Sequence, residues 1–397
     1  MSTITRGQIP GLLGVMIASF VVPLTIAFNI GVMIEEFSAK PSEAGLVATV
    51  DGVVAAISAL ICSRLIARYT ARQFFLVGLT ICATGHAMSA FSPSLNWLMA
   101  FQAYAGVGVG MVLSVVMATA ARTAKPEMTI GLINASLGAF IIFLGFVMPA
   151  VIGSAGLKGA YLTYAALACL GILSAFFGPN DKAPDPKATG ADNPEGVKLL
   201  SGKLRIIVLV SLLGYGIFFA AQSGMAAFVQ PLSEASGLSL KEFGQVFAVG
   251  GFLTIVGPLI AGWVGARFGA TLPLIVLVSG LCVTVFGLAI LTSPLSYYIA
   301  APLFTMLPGL LTPSFLGALS YIDKTGRAMG MQPAYATLGG SMGAIISGNV
   351  LEGWGFDGLG WYSIVVFVIA AALMAFATLS ADRGRRPADP DLQASPA

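Results

Sequence analysis

Roughly twelve apolar runs of about 20 residues, separated by short polar segments, make up this chain, and the basic residues are sorted very unevenly among those segments. The runs lie near 10–34, 44–63, 73–92, 95–119, 129–153, 159–178, 204–229, 243–264, 271–292, 295–321, 328–351 and 359–380. A helix rising ~1.5 Å per residue crosses the ~30 Å hydrocarbon layer in about that length. Lipid offers the backbone no hydrogen-bond partner, so runs of this kind are expected to span as helices. Only 9% of the residues are charged, against about a quarter in a soluble domain. The expected class is an all-α membrane protein with 12 transmembrane helices.

Threading the chain through a bilayer places Arg6, Arg64, Arg68, Arg72, Arg122, Lys125, Lys182, Lys187, Lys198, Lys203, Arg205, Arg267, Lys324, Arg327, Arg383, Arg385 and Arg386 on one side. The other side receives Lys40, Lys158 and Lys241. Short basic loops stay in the cytoplasm during insertion, so a 17 to 3 split predicts an even number of spans with both termini cytoplasmic. Localisation in a bacterial inner membrane is expected. The net charge of +3 then faces anionic headgroups, which makes membrane lipids the partner and gives no sign of nucleic-acid binding. The first run begins at Pro10 without a short core and small-residue cleavage site, so a retained helix is expected. Cys62, Cys82, Cys169 and Cys282 fall in or at the ends of apolar runs without metal-ligand spacing, and no cofactor or metal is expected.

Pro179 to Lys203 is the one long polar stretch between runs. It predicts a cytoplasmic linker between an N-terminal six-helix bundle (1–178) and a C-terminal one (204–380), followed by a cytoplasmic tail (381–397). The halves share a loop. SRLIARYTARQ, from Ser63 to Gln73, and GWVGARFGATL, from Gly262 to Leu272, are offset by 199 residues, superposing Arg68 on Arg267, Tyr69 on Phe268 and Ala67 on Ala266.

These paired loops resemble the signature of the major facilitator superfamily (MFS), roughly G-x-L-A-D-R-x-G-R-R between spans 2 and 3 with an echo between spans 8 and 9. Leu65, Arg68 and Arg72 fit the first copy, and Gly262, Arg267 and Gly269 the second. Ala67 and Ala266 stand where the family has Asp, and Ser63 and Thr70 replace glycines. The resemblance implies two pseudo-symmetric six-helix bundles, the MFS fold, with a cavity lined by spans 1, 4, 7 and 10. It also implies conformational gating at the basic turns, which assigns Arg68, Arg72 and Arg267 to helix-end anchoring. In span 4, Gln102 occupies the place of a family Arg ahead of Gly106, Gly108 and Gly110. GFVMPAVIG, from Gly145 to Gly153, is similar to the antiporter-associated helix of the family, and close helix packing explains the same residues.

A transporter coupled to a proton gradient needs a titratable group at membrane depth, where a charge costs at least ~2.5–3.5 kcal/mol on insertion scales. Asp51 is the one acidic residue well inside a run, and His86 is the one histidine. They lie 18 residues before and 17 after the turn near Tyr69, at similar depth, so they are the expected proton-coupling residues, with a direct pair and separate packing roles both open. Asn29, Gln102 and Gln222, with Tyr215 and Phe304, are the expected lining of the substrate cavity. Apart from Arg205 at the very start of its run, no Lys or Arg falls inside a run to meet an organic anion, and phosphate loops and nucleophile elbows are missing.

The expected function is secondary active transport of a small neutral, weakly basic or amphipathic organic solute, by proton-coupled efflux as an antiporter, by a monomer. Proton-symport uptake of a small metabolite or weak organic acid is the alternative. A membrane-embedded enzyme built on Asp51 and His86 would need a nucleophile or metal beside them, and a receptor would need a sizeable soluble domain, so the protein is expected not to be an enzyme.

Overall fold

The computed structural model describes residues 6–123, 126–182, 202–323 and 327–385, the side chains at 6, 126–127, 203, 258–268, 327–330 and 384–385 excepted. Residues 183–201 of the expected linker, 386–397 of the expected tail and the side chain of Arg267 therefore lie outside the description.

Span 1 is broken into α1 (Ile9–Ser19), α2 (Val21–Leu24) and α3 (Ile26–Phe37). Pro23 lies inside the short middle piece and cannot donate to the preceding turn, which accounts for the interruption. The Thr25 backbone N–H and hydroxyl both donate to Val21 O, at 3.0 and 2.9 Å, which closes the short middle turn. Spans 2, 3 and 4 are α4 (Pro41–Leu65), α5 (Ala71–Ser89) and α6 (Leu95–Ala120). The 52 residues of α7 (Pro126–Phe177) hold spans 5 and 6, divided at Gly156 with φ 57°. At ~1.5 Å per residue an unbroken helix of that length would cross the bilayer twice over, and glycine accepts the left-handed backbone that turns it back. Span 7 is α8 (Gly202–Ala227), continued by α9 (Val229–Ala235). Spans 8, 9 and 10 are α10 (Leu240–Phe268), α11 (Thr271–Ala289) and α12 (Pro294–Ile322), and α13 (Arg327–Arg385) holds spans 11 and 12, divided at Gly355 with φ 68°. The twelve expected spans are thus present, several of them inside merged or broken helices.

The 199-residue repeat reaches well beyond the basic loops. Gly156 and Gly355 share it, as do Ser38 and Gly237, both at positive φ. Lys40 and Ser239 begin spans 2 and 8, and their backbone N–H groups are capped by Glu43 at 2.9 Å and Glu242 at 2.8 Å. Ser94 and Ser293, also 199 apart, begin spans 4 and 10.

The basic turns gather on one face. Ala71 N–H donates to Asp181 O at 3.1 Å and the Arg122 guanidinium to Lys182 O at 3.0 Å, which ties the turns after spans 2, 4 and 6 together. On the far face the halves meet. Lys40 Nζ lies 3.2 Å from Glu352, and the Ser42 hydroxyl donates to the same carboxylate at 2.6 Å. Below them glycines set backbone on backbone: Gly348 against Pro41 and Ser42, Gly45 against the Ala344 carbonyl, and Gly145 against Gly244. Phe28 of span 1 packs edge-on against Phe243 and Phe247 of span 8, at 4.7 and 5.2 Å between centroids. This seam reaches about mid-depth, at Gly52 on Ser341 and Gly138 on Ile255. Nearer the basic face, residues 331–340 of span 11 include no buried residue, whereas Gly343, Ala344, Ser347 and Gly348 are buried.

Candidate functional site

Polar side chains collect in the first half, beneath the break in span 1. A cavity of about 30 Å³ lies between spans 1, 2, 4 and 6, bordered by Pro23, Asn29, Ala48, Asp51, Gln102 and Tyr161 among others. That volume is about one water's share of the liquid. Asp51 reaches it because span 4 carries Gly106, where a Cβ would stand 2.9 Å from Asp51 Oδ1 and 2.6 Å from the Asp51 carbonyl. Any larger residue at Gly106 would push span 2 away.

Asp51 is 7% exposed, His86 0% and Gln102 1%. Asp51 Oδ1, both ring nitrogens of His86 and Gln102 Oε1 have no hydrogen-bond partner. Buried polar groups in that condition cost free energy unless something else satisfies them. The neighbouring groups are paired. Gln102 Nε2 donates to Ser89 Oγ at 2.8 Å, the Tyr164 hydroxyl donates to Asn29 Oδ1 at 2.7 Å, and Asn29 Nδ2 faces Thr25 Oγ1 at 3.4 Å.

Three of the expected site residues, Asp51, Asn29 and Gln102, therefore share one cavity. His86 is not hydrogen-bonded to Asp51; its ring lies 6.3 Å from Tyr161, stacked, and 6.0 Å from Tyr164, edge-on. Tyr161 stands between them, bordering the cavity on one side and the imidazole on the other.

The remaining expected lining residues are in the second half. Tyr215 is fully buried; its hydroxyl accepts from Gln332 Nε2 at 2.9 Å, and its ring stacks on Phe315 at 5.1 Å. Phe304 is packed in the core, and Gln222 Oε1 is buried without a partner. The chemistry does not follow the repeat. The positions 199 residues after Asn29, Asp51, His86, Gln102, Tyr161 and Tyr164 are Phe228, Gly250, Val285, Ala301, Gly360 and Ser363. The contact itself survives with its sides exchanged: Gly250 now faces the Thr305 side chain, with its Cβ position 3.0 Å from Oγ1, where Asp51 faces Gly106.

Among the expected gating residues, the Arg72 guanidinium donates to the Phe176 and Gly178 carbonyls at 3.1 and 3.4 Å, joining the start of span 3 to the end of span 6. Arg68 is exposed at the turn. Thr70, standing where the signature has glycine, caps span 3 by accepting from Gln73 N–H at 3.3 Å. In the second half, Asp382 of span 12 accepts from Ala270 and Thr271 N–H at 3.0 and 2.9 Å and so caps span 9.

The description "Major Facilitator Superfamily" matches residues 11–322. The niacin transporter NiaP of Acinetobacter baylyi is 30% identical over 90 residues, 23% of this chain and 20% of that protein, so the match spans a fifth of that relative's length. Among solved structures, a bacterial homologue of the human lysosomal transporter Spinster, inward-facing and unoccupied, aligns at TM-score 0.69 and 14% identity, covering 94% of this chain and 96% of that one. A D-xylose-proton symporter aligns at 0.71 and 12%, covering 92% and 95%. The nucleoside transporter NupG aligns at 0.69 and 14%, covering 96% and 99%. At such identities the likeness is one of fold.

Proposed function

Because this chain belongs to the major facilitator superfamily, we propose that it is a proton-coupled secondary transporter exporting a small neutral, weakly basic or amphipathic organic solute by alternating access. The carrying observation is Asp51. Among the described residues the buried carboxylates are Asp51 and Asp323; Asp323 sits at the C-cap of span 10, whereas Asp51 lies ten residues inside span 2 on a small cavity. A carboxylate at that depth is costly unless it exchanges a proton. Asp51 carries the proton in this reading, with His86 modulating it through Tyr161. The solute is taken between the halves, by Gln102 and Asn29 from one side and Tyr215, Gln222 and Phe304 from the other.

In this reading the protein works as a monomer with its basic face cytoplasmic in a bacterial inner membrane, and the far-face seam, which rocking of the halves opens, belongs to an inward-facing state. Arg68, Arg72 and Arg267 hold the inner helix ends during that motion. The test is flux in proteoliposomes with and without an imposed pH gradient. The reading expects an acid-inside gradient to load the vesicles with solute, and Asp51→Asn to keep downhill exchange while losing accumulation. Full accumulation by Asp51→Asn would remove Asp51 from the mechanism.

The partial match to a niacin transporter favours a second reading, uptake of a weak organic acid with a proton. Under it an acid-outside gradient loads the vesicles, and nicotinate competes.

A further inference from the structure

Two residues that border one cavity each carry a buried acceptor without a donor. Asp51 Oδ1 and Gln102 Oε1 are both buried and unpartnered, and both residues border the same small space. Gly106, which Asp51 Oδ1 touches, is four residues from Gln102 on span 4, hence on the same helix face. The Gln102 amide nitrogen is engaged elsewhere, donating to Ser89 Oγ at 2.8 Å, while the Ser89 hydroxyl donates to Gly85 O at 2.8 Å.

This arrangement suits a protonated carboxyl, whose O–H would donate across the cavity to Gln102 Oε1. It does not suit a carboxylate, which needs a donor. Turning the Gln102 amide over supplies one: Nε2 then donates to Asp51, and the Ser89 hydroxyl leaves Gly85 O to donate to Gln102 Oε1. A primary amide and a hydroxyl can satisfy both arrangements without moving the backbone, because each is donor and acceptor at once. The other titratable groups around Asp51 are Cys82 and His86 on span 3 and Tyr161 on span 6. Cys82 is turned toward Ala105 O at 3.8 Å, and His86 toward Tyr161. None of them gives Asp51 a hydrogen bond. The second half retains none of the relay, with Gly250, Leu288 and Ala301 at the positions 199 residues after Asp51, Ser89 and Gln102.

We propose that Gln102, positioned by Ser89, reads the charge on Asp51 by turning its amide over, and so passes the protonation of span 2 to spans 3 and 4. The inference rests on Asp51 as the coupling residue. Its test is infrared difference spectroscopy of the reconstituted full chain across a pH jump. The carboxylic C=O band of Asp51 is identified by its loss in Asp51→Asn. In Gln102→Met, a near-isosteric change, that band moves to higher wavenumber because its acceptor is gone, and the side-chain amide signal disappears. In Ser89→Ala the carboxyl band remains and the amide signal collapses. Accumulation under the pH gradient falls about tenfold in Ser89→Ala, the scale of one hydrogen bond, while its downhill flux persists, since Ser89 is not among the residues that take the solute.

An unmoved carboxyl band in folded Gln102→Met overturns the relay. So does the lack of any band lost in Asp51→Asn. Should Gln102→Met fail to fold, an unchanged amide signal in Ser89→Ala overturns it as well. A shifted band in Gln102→Met together with undiminished accumulation by Asp51→Asn would keep the relay and sink the coupling reading instead.

Discussion

Gly348→Ala is expected to open the far-face seam. A Cβ there would lie 2.5 Å from Pro41 O, 2.8 Å from Pro41 C and 2.8 Å from Ser42 Cα. Carbon contacts are most favourable at about 3.5–4.0 Å, and all three neighbours are backbone of the other half, at the rigid start of span 2. No rotamer change relieves the overlap; the halves must separate locally or entirely. Overpacking of this kind costs about 1–3 kcal/mol, and it acts only in the state where the seam is closed. The equilibrium between closed and open far face should therefore shift about 5- to 150-fold toward open. Spin labels on cysteines at the exposed positions Glu35 and Trp354, one on each half, in a background lacking the native cysteines, report that distance by electron–electron double resonance. A longer-distance population should grow in Gly348→Ala and stay absent in Gly131→Ala, whose Cβ meets nothing within 4 Å. An unchanged distance distribution in well-folded Gly348→Ala would refute the claim that backbone contact at this glycine holds the seam.

His86→Gln should change the pH profile of transport while leaving gradient-driven accumulation in place, since Asp51 remains; complete loss of accumulation would make the imidazole a proton carrier itself. Arg72→Ala removes the tie between spans 3 and 6 and should cost about 2 kcal/mol of stability, visible as a lower unfolding temperature in detergent with unchanged substrate affinity. Asp382→Ala uncaps span 9 and should cost about 1 kcal/mol; hydrogen exchange at Ala270 and Thr271 is the direct measurement, and unaltered protection there contradicts the cap.

Depth along each span was legible in the sequence, because helical rise converts residue count directly into position: Asp51 lies ten residues into span 2 and Gln102 seven into span 4, while His86 falls in the last turn of span 3. Azimuth was not. In lipid, the bundle-facing and lipid-facing sides of a helix are both apolar, so periodicity does not say which way His86 points, and it points at Tyr161 and Tyr164 of span 6. Two tyrosines three residues apart in a span otherwise poor in polar groups are a signal that sequence can offer. The cap on span 9 was hidden for another reason: Asp382 lies more than a hundred residues from Ala270, and only the closed bundle brings them together.

The repeat that spares its joints and abandons its chemistry also bears on stoichiometry. Turns and caps recur every 199 residues, yet the counterpart of Asp51 is Gly250 and that of His86 is Val285, so the proposed proton site has no copy at the matching positions of the second half. On the proposed mechanism each cycle then exchanges one proton. A single charge moving through the membrane potential yields about 2.3 kcal/mol per 100 mV, which at about 1.4 kcal/mol per decade limits a neutral solute to roughly a 50-fold gradient per 100 mV. On that mechanism the ceiling on the solute gradient is set by the membrane and not by how tightly the site binds.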